Sequence, residues 1–535
     1  MSGALIHRIR THNYVLPLII CLFFLMTVIL PTGSMLTKID WSKIGSYVST
    51  DLFRESLINS LIVSSISTVI TLILATLMAF CVHRTRIKFR YGFSILFTLP
   101  MLIPSISIGI GMINLFGDNG IVSKLTGLVP GIYGPLGIIF GSVLYCIPVA
   151  FLMIGDVLKY TDYGPYEAAK ILGISPFKQF LSITLPGLRG TLISACFAVF
   201  TLCFTDYGVP LAVGGRFSTL PVYLYRDVIG LLDFSKGAFV GTILLLPAVV
   251  AFIIDLARSR EQTTNFVKTA FRVSKSKLRD TLAFVFSCLN ALFLVLFVGS
   301  FVVMSVITKY PIDMSFTLEH IQGVFNRGLL SYFGNSLFIA LMTAIFGTVL
   351  TYLTAFFTAR IESKVVGKVA HLISMLSLAI PGIVLGLSYV ILFNGTPIYG
   401  TFIILIMVCI IHFFANPYLM AYNAFQKFNR NFEIVGKTLG ISSFKIMLRV
   451  FIPSTLSTII KMASYYFMNT MITVSAVAFL FNAMTKPLSM FIADFTGQMM
   501  YEAAAVVSII IFLTNVIVRA SSALTAKMLK KKGIG

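Results

Sequence analysis

Groups that could do covalent chemistry are few in this chain, and they are scattered. Of six histidines, His7 and His12 precede the first apolar run, His83 and His371 fall near ends of apolar runs, His320 lies in a polar stretch, and only His412 sits inside a run. An intramembrane enzyme needs catalytic groups converging at depth, such as paired aspartates or a serine with a histidine, and no such constellation is written here. The string nearest to a phosphate-binding loop is Gly436-Lys437-Thr438. The G-x-x-x-x-G-K-[ST] pattern wants a glycine where Asn431 stands, so backbone N–H groups have no loop with which to wrap a phosphate. Cys21, Cys81, Cys146, Cys196, Cys203, Cys288 and Cys409 all fall in apolar runs without a C-x-x-C pair, and read as small packing residues rather than disulfides or a metal site. No cofactor is expected on this chain, and any ATP hydrolysis must come from another.

The elements that carry these residues are apolar helices. With 535 residues, 57% hydrophobic, 11% charged and a mean hydropathy of +0.95, the chain has no polar surface for a large soluble domain. Apolar windows of about 20 residues, enough to cross about 30 Å of hydrocarbon, occur about twelve times. They lie near 14–31, 56–83, 92–116, 133–157, 187–205 and 238–257, then near 281–306, 332–359, 369–393, 398–424, 458–481 and 503–520. The expected fold is an all-α polytopic membrane protein. Arg8 and Arg10 before an apolar run could also open a cleaved signal peptide, but the second half opens with an equivalent helix, so the first is expected to be retained. The net charge of +22 is an orientation signal. With the N-terminus inside, most of the 41 Lys and Arg fall on the inner side, including Arg84, Arg86, Lys88, Arg90, the run Arg258 to Arg279, and Lys530 to Lys532. Both termini are thus expected in the cytoplasm, and nucleic acid is not an expected partner.

The second half repeats the first. Glu167-Ala168-Ala169-Lys170-Ile171-Leu172-Gly173-Ile174-Ser175-Pro176-Phe177-Lys178 is echoed by Lys437-Thr438-Leu439-Gly440-Ile441-Ser442-Ser443-Phe444-Lys445, at an offset of 440 − 173 = 267 that also carries Pro186 onto Pro453. Asn59-Ser60-Leu61 matches Asn335-Ser336-Leu337, Arg84 matches Arg360, Pro104 and Gly109 match Pro381 and Gly386, and Ile132-Tyr133-Gly134 matches Ile398-Tyr399-Gly400. Six helices per half is even, so the two repeats are parallel. The expected organisation is a first half at 1–258, a linker at 259–280 and a second half at 281–535. Leu99-Pro100 with Ile103-Pro104, and Ala379-Ile380-Pro381-Gly382, should break the third and ninth helices. A carbonyl freed in a membrane must be re-satisfied by a neighbouring helix or a wet cavity, so each break is either a packing kink or the border of a pathway.

Each repeated loop, at about 162–187 and 428–454, reads as a short helix, a glycine turn, a second short helix and then a proline opening the next span. These residues resemble the E-A-A-x(3)-G loop in permease subunits of binding-protein-dependent ABC importers. The first copy fits throughout, with Glu167, Ala168, Ala169, Gly173 and Pro186. The second keeps Gly440 and Pro453 but puts Ile434, Val435 and Gly436 where Glu-Ala-Ala would stand, with Glu433 one position early. The resemblance implies a type I importer permease in the bacterial inner membrane. It also implies loops seated on two copies of an ATPase subunit, which bind ATP and Mg, and an external binding protein that delivers the solute.

For the pathway, Asp206 is the best candidate, because a carboxylate at a membrane boundary is costly unless paired or wetted. It equally fits a helix-end residue in an outside loop. Tyr145, Asn469 and Ser475 could line the path with their polar tips, or simply bond helix to helix. The string Phe204-Thr205-Asp206-Tyr207-Gly208-Val209-Pro210, with the fused twelve-span layout, resembles importers of 2-aminoethylphosphonate and iron(III), the former more closely. Ferric iron, thiamine and polyamine stay open as alternatives. An ion-coupled secondary transporter is a rival class, but Asp156, Asp255 and Asp494 fall near span ends or in loops rather than at mid-bilayer.

Overall fold

The structure is a computed structural model, and it describes residues 19–127, 129–259, 269, 271–310, 312–360, 364–429 and 431–531. Residues 260–268 and 270 of the 259–280 linker, and the segment before Ile19, including the signal-peptide alternative, lie outside the described residues.

The first half runs through α1 (Ile19–Thr37), α2 (Asp51–Arg84), α3 (Arg90–Leu96), α4 (Ser105–Phe116), α5 (Pro135–Lys159), α6 (Gly164–Ile171), α7 (Pro176–Thr205), α8 (Gly208–Val213), α9 (Leu220–Leu231) and α10 (Phe234–Ser259). The second half repeats the order with α11 (Lys277–Val306), α12 (Leu329–Arg360), α13 (Lys364–Met375), α14 (Gly382–Phe393), α15 (Phe402–His412), α16 (Ala415–Gln426), α17 (Asn431–Thr438), α18 (Ser443–Ser454), α19 (Leu456–Ile472), α20 (Leu488–Gly497) and α21 (Tyr501–Lys531). A short hairpin, Ile307–Lys309 with Asp313–Phe316, follows α11. Among the described residues, eight helices are long and apolar enough to span a membrane by themselves, and three further spans are bent pairs: 99° at Pro381, 53° before Ala415 and 81° at Thr455. The window at 92–116 is built from α3, a tight turn at Leu99–Leu102 and α4, none of spanning length. Both expected breaks are present.

Small residues decide which face of each long helix is buried. On α2, Ser56, Ser60, Ser64, Thr71, Ala75 and Ala79 form a buried stripe, whereas Ile58, Ile62, Ile66, Val69 and Ile73 are exposed on the other side. Without a hydrophobic drive between helices in lipid, close approach over small side chains supplies the attraction, and the large apolar side chains meet hydrocarbon. α5 packs along α2, and in the second half α12 packs along α16 and α19.

The halves interlock through their first helices. α1 lies against α14 of the other half, where Tyr389 Oη donates to the Thr27 carbonyl at 2.8 Å. α11 lies against α4 with the Phe297 and Phe301 rings over Gly111. α21 crosses to the first break: Asn515 Nδ2 donates to the Leu102 carbonyl at 3.1 Å, Arg519 Nη1 to the Thr98 carbonyl at 3.3 Å, and Ser508 Oγ to Ser107 Oγ at 2.8 Å. The carbonyls freed at the break are therefore answered by the opposite half rather than left to a wet cavity.

Candidate functional site

Both repeated loops emerge on one face of the helix assembly, since each follows the fourth span of its half and precedes the fifth. They fold alike for local reasons. In the first, α6 ends at Gly173 with φ +69°, the Ile174 N–H returns to the Ala169 carbonyl at 3.0 Å, and Ser175 Oγ caps the next turn by accepting from the Lys178 N–H. In the second, Gly440 has φ +68°, the Ile441 N–H returns to the Gly436 carbonyl at 2.8 Å, and Ser442 Oγ accepts from the Lys445 N–H. A left-handed residue after a helix, followed by a serine cap, turns the chain sharply with few unpaired backbone groups.

The prolines sit differently from the sequence expectation. Pro186 does not open a span: α7 begins at Pro176 and runs continuously past it, with one wide π turn at Phe180–Thr184 just before the proline. The second loop has the matching π turn at Met447–Phe451 before Pro453, and the chain then bends at Thr455. A proline lacks an N–H and crowds the carbonyl four residues earlier, and the wider turn relieves that clash without ending the helix.

At the E-A-A positions, Glu167 and Ala168 are exposed while Ala169 is buried. The second loop puts Ile434 and Val435 on the exposed positions and Gly436 on the buried one, where a methyl group would stand 2.3 Å from Ile446 Cδ1. Glu433 is not a displaced copy of Glu167. It corresponds to Tyr166, as 433 − 267 = 166, and turns inward to Arg360, with Oε1 at 3.4 Å from Nη1. What each loop offers outward is apolar: Ile171 (86% exposed), Leu172 (75%) and Phe177 (71%) in the first, and Ile434, Leu439 and Phe444 in the second. Large apolar side chains held out on an otherwise polar loop mark a protein contact.

Across the molecule the pathway candidates are only partly brought together. Asp206 lies just past α7 and is buried, so it does not meet water alone. Its carboxylate accepts from the Gly208 N–H at 3.2 Å and the Val209 N–H at 3.0 Å, capping α8. Tyr145, half-buried on α5, lies within electrostatic reach of Asp206 and of Tyr465 on α19. Asn469 donates to the carbonyl of Tyr465 on its own helix at 2.8 Å, and Tyr465 Oη accepts from Asn416 Nδ2 at 2.6 Å. Ser475 is outside any span, because α19 stops at Ile472, and it packs against Gly382 at the second break.

One further feature had no sequence signal, and one anchor of the repeat gains a role. On the face opposite the repeated loops, Tyr207, Tyr225 and Phe479 form an aromatic chain with ring centroids 4.5 and 5.6 Å apart, joining the halves. The repeated Asn-Ser pairs also have a role there. Ser60 Oγ accepts from the Leu220 N–H and Ser336 Oγ from the Leu488 N–H, each at 2.7 Å, while Asn59 and Asn335 bond the carbonyls of Ser218 and Met484. They fasten the segment after the fifth span in each half.

Residues 71–259 and 352–530 match the family described as binding-protein-dependent transport system inner membrane component. The chain belongs to that family. The permease carries two copies of the module in one polypeptide, as the membrane-embedded part of an ABC importer, and its relatives are permease subunits rather than enzymes. It is 27% identical over 455 residues to a candidate ferric transport system permease, FbpB 1, of Haemophilus influenzae, covering 80% of this chain and 70% of that one. Identity is 26% to a ferric transport system permease, FbpB, of Actinobacillus pleuropneumoniae, covering 82% of this chain and 66% of that one. Over a shorter stretch, 33% of this chain and 34% of the relative, it is 27% identical to a thiamine transport system permease, ThiP, of Brucella abortus. A solved chain from a bacterial alginate ABC transporter aligns with a TM-score of 0.39 at 16% identity, covering 48% of this chain and 96% of its own. Many apolar helices and this family make the permease a multi-pass inner-membrane protein.

Proposed function

We propose that the permease imports ferric iron, and that its two repeated loops dock on two copies of a cytoplasmic ATPase subunit that bind ATP and Mg. The observation that carries the docking is the matched pair of outward apolar patches, Leu172 with Phe177 and Leu439 with Phe444, on one face of a two-fold-like chain. The basic segments of the sequence, Arg84 to Arg90 among them, favour the cytoplasmic side for this face, with both termini proposed on the same side. Glu167, Ala168, Gly173 and Gly440 shape the contact, Ala169 and Gly436 pack each loop internally, Pro186 and Pro453 lead into the fifth spans, and Glu433 holds its loop from within. Ferric iron is favoured because relatives named for ferric transport match over most of the chain, whereas the thiamine-transport relative matches over about a third. The 2-aminoethylphosphonate reading rests on a few short segments, the Phe204-to-Pro210 string above all. Tyr145, Asp206, Asn469 and Ser475 are proposed pathway residues. The deciding experiment is uptake into vesicles holding permease and ATPase, with binding protein and labelled ferric iron or labelled 2-aminoethylphosphonate. Iron uptake that needs all three components supports the reading, and phosphonate uptake without iron uptake overturns its substrate.

A further inference from the structure

The two repeated loops are fastened by different chemistry, and among the described residues the first is fastened by the other half of the chain. On α2, Arg84 is buried, and its guanidinium carbon lies 3.5 Å from the ring centre of Phe271 and 5.2 Å from that of Tyr166. Phe271 belongs to the segment leading into α11, six residues before its first residue (277 − 271 = 6). Its ring stands edge-on to both Tyr163 and Tyr166, at 5.2 and 5.0 Å, closing an aromatic box around the arginine. Beside it, Thr269 donates to Asp162 Oδ1 from its N–H at 3.1 Å and its hydroxyl at 3.0 Å, and the Thr269 carbonyl accepts from the Tyr163 N–H at 3.1 Å. On the far side, Arg86 Nε donates to the Val273 carbonyl at 2.8 Å and the Arg86 N–H to Asp280 Oδ1 at 3.2 Å. The segment is thus tied to the start of α6 at one end and to the end of α2 at the other.

Arg360, the counterpart of Arg84, is held within its own half. Glu433 faces it, its Nη2 donates to the carbonyls of Phe425 at 2.6 Å and Phe428 at 3.0 Å, and the Phe451 ring lies 5.0 Å away. The second loop therefore answers to its own helices through an ion pair, and the first answers to the segment before α11 through aromatic faces and hydrogen bonds that include carboxylate acceptors.

We propose that Phe271 and Thr269 form a latch that positions the first repeated loop, so that displacement of α11, and hence of the second half, is transmitted to the first loop's ATPase contact. The proposal rests on the reading of the loops as ATPase-docking elements. Phe271 acts through Tyr166 and Arg84, so it is a positioning residue. A cation over a desolvated aromatic face is attracted by the ring's quadrupole, which an aliphatic side chain of similar bulk does not supply.

The test uses the full-length permease in lipid nanodiscs, in a background with its seven cysteines replaced by serine or alanine, carrying a nitroxide at Ile171→Cys or at the equivalent Thr438→Cys. Phe271→Leu is expected to raise label mobility at 171 and leave 438 unchanged, and Phe271→Tyr to restore the parent signal. With ATPase and binding protein added, Phe271→Leu should lower the ratio of stimulated to basal ATPase about five-fold, the order expected for a lost cation–π contact. Parent-like mobility at 171 in Phe271→Leu, or an equal rise at both labels, overturns the latch. If Phe271→Leu does not reach the membrane, Asp162→Ala with Thr269→Ala removes both hydrogen bonds to the residue-162 side chain and spares the ring. A rise confined to 171 then supports the latch and no change overturns it. Gly173→Arg and Gly440→Arg separate the two ideas: ATPase still bound to both variants defeats the docking reading, whereas ATPase released there but no effect of Phe271→Leu defeats the latch alone.

Discussion

Glu433 and Arg360 form an ion pair at 3.4 Å in the position where Tyr166 and Arg84 meet in the first half, so one buried arginine per half is faced by a carboxylate in one case and by aromatic rings in the other. Arg360's side chain is only 5% exposed, and removing Glu433 would take the facing carboxylate from a buried charge. Glu433→Ala should therefore destabilise the permease by about 3 kcal/mol, the low end for breaking a buried pair because Arg360 keeps its bonds to the Phe425 and Phe428 carbonyls. Thermal unfolding in detergent measures it, and a loss indistinguishable from that of an exposed Glu167→Ala control would refute it.

Gly173 and Gly440 occupy left-handed backbone with open space where a side chain would go. Alanine at either position should cost about 1 kcal/mol in stability and keep the ATPase bound, because the strain is in the backbone alone. Arginine should leave the chain inserted but release the ATPase, since it projects a charge into an apolar contact. Co-purification of tagged permease with ATPase reads both, and retention in both arginine variants would count against docking through these loops.

The Tyr207–Tyr225–Phe479 chain closes the face opposite the loops and joins the halves. Aromatic pairs contribute about 0.5–1.5 kcal/mol each beyond their buried area, so Phe479→Ala should shift the balance toward an open form by roughly three- to ten-fold. In the reconstituted complex this should appear as raised ATPase activity without binding protein. A basal rate equal to the parent's would show that the contact does not gate.

Ser60 and Ser336 each accept a buried backbone N–H at the start of a helix, at 2.7 Å. Alanine at either site leaves that donor unpaired at a cost of about 1–2 kcal/mol, and the double substitution should be additive because the sites lie in separate halves. Melting of the single and double variants decides the matter.

Asp162 carries a pH prediction. The Thr269 hydroxyl, its main partner, holds the Asp162 carboxyl below the usual carboxylate range. A depressed value means that the contribution is present above the unfolded carboxyl's pKa and is lost only as pH falls through the lower folded one. Label mobility at position 171 should therefore stay flat from about pH 8 to about pH 5. A rise within that window would mean that another group controls the loop.

Much was legible in the chain alone. Apolar windows, the basic loops and the 267-residue echo fix a duplicated membrane protein, because lipid forces every backbone polar group into helices and duplication leaves matched anchors. The glycine turns and both breaks follow from single residues with narrow backbone preferences. Local rules fall short at helix ends: the sequence places Pro186 at a start because it does not announce a π turn, and Ser475 in a span because apolar residues continue past Ile472 after the helix has stopped. Tertiary structure alone decided the pairings. Glu433 looked like a misplaced acid until Arg360 stood beside it, and Phe271 was an ordinary linker aromatic until Arg84 lay under its ring. A side chain's partner depends on which helices cross at that depth, and that crossing is settled by packing between segments hundreds of residues apart.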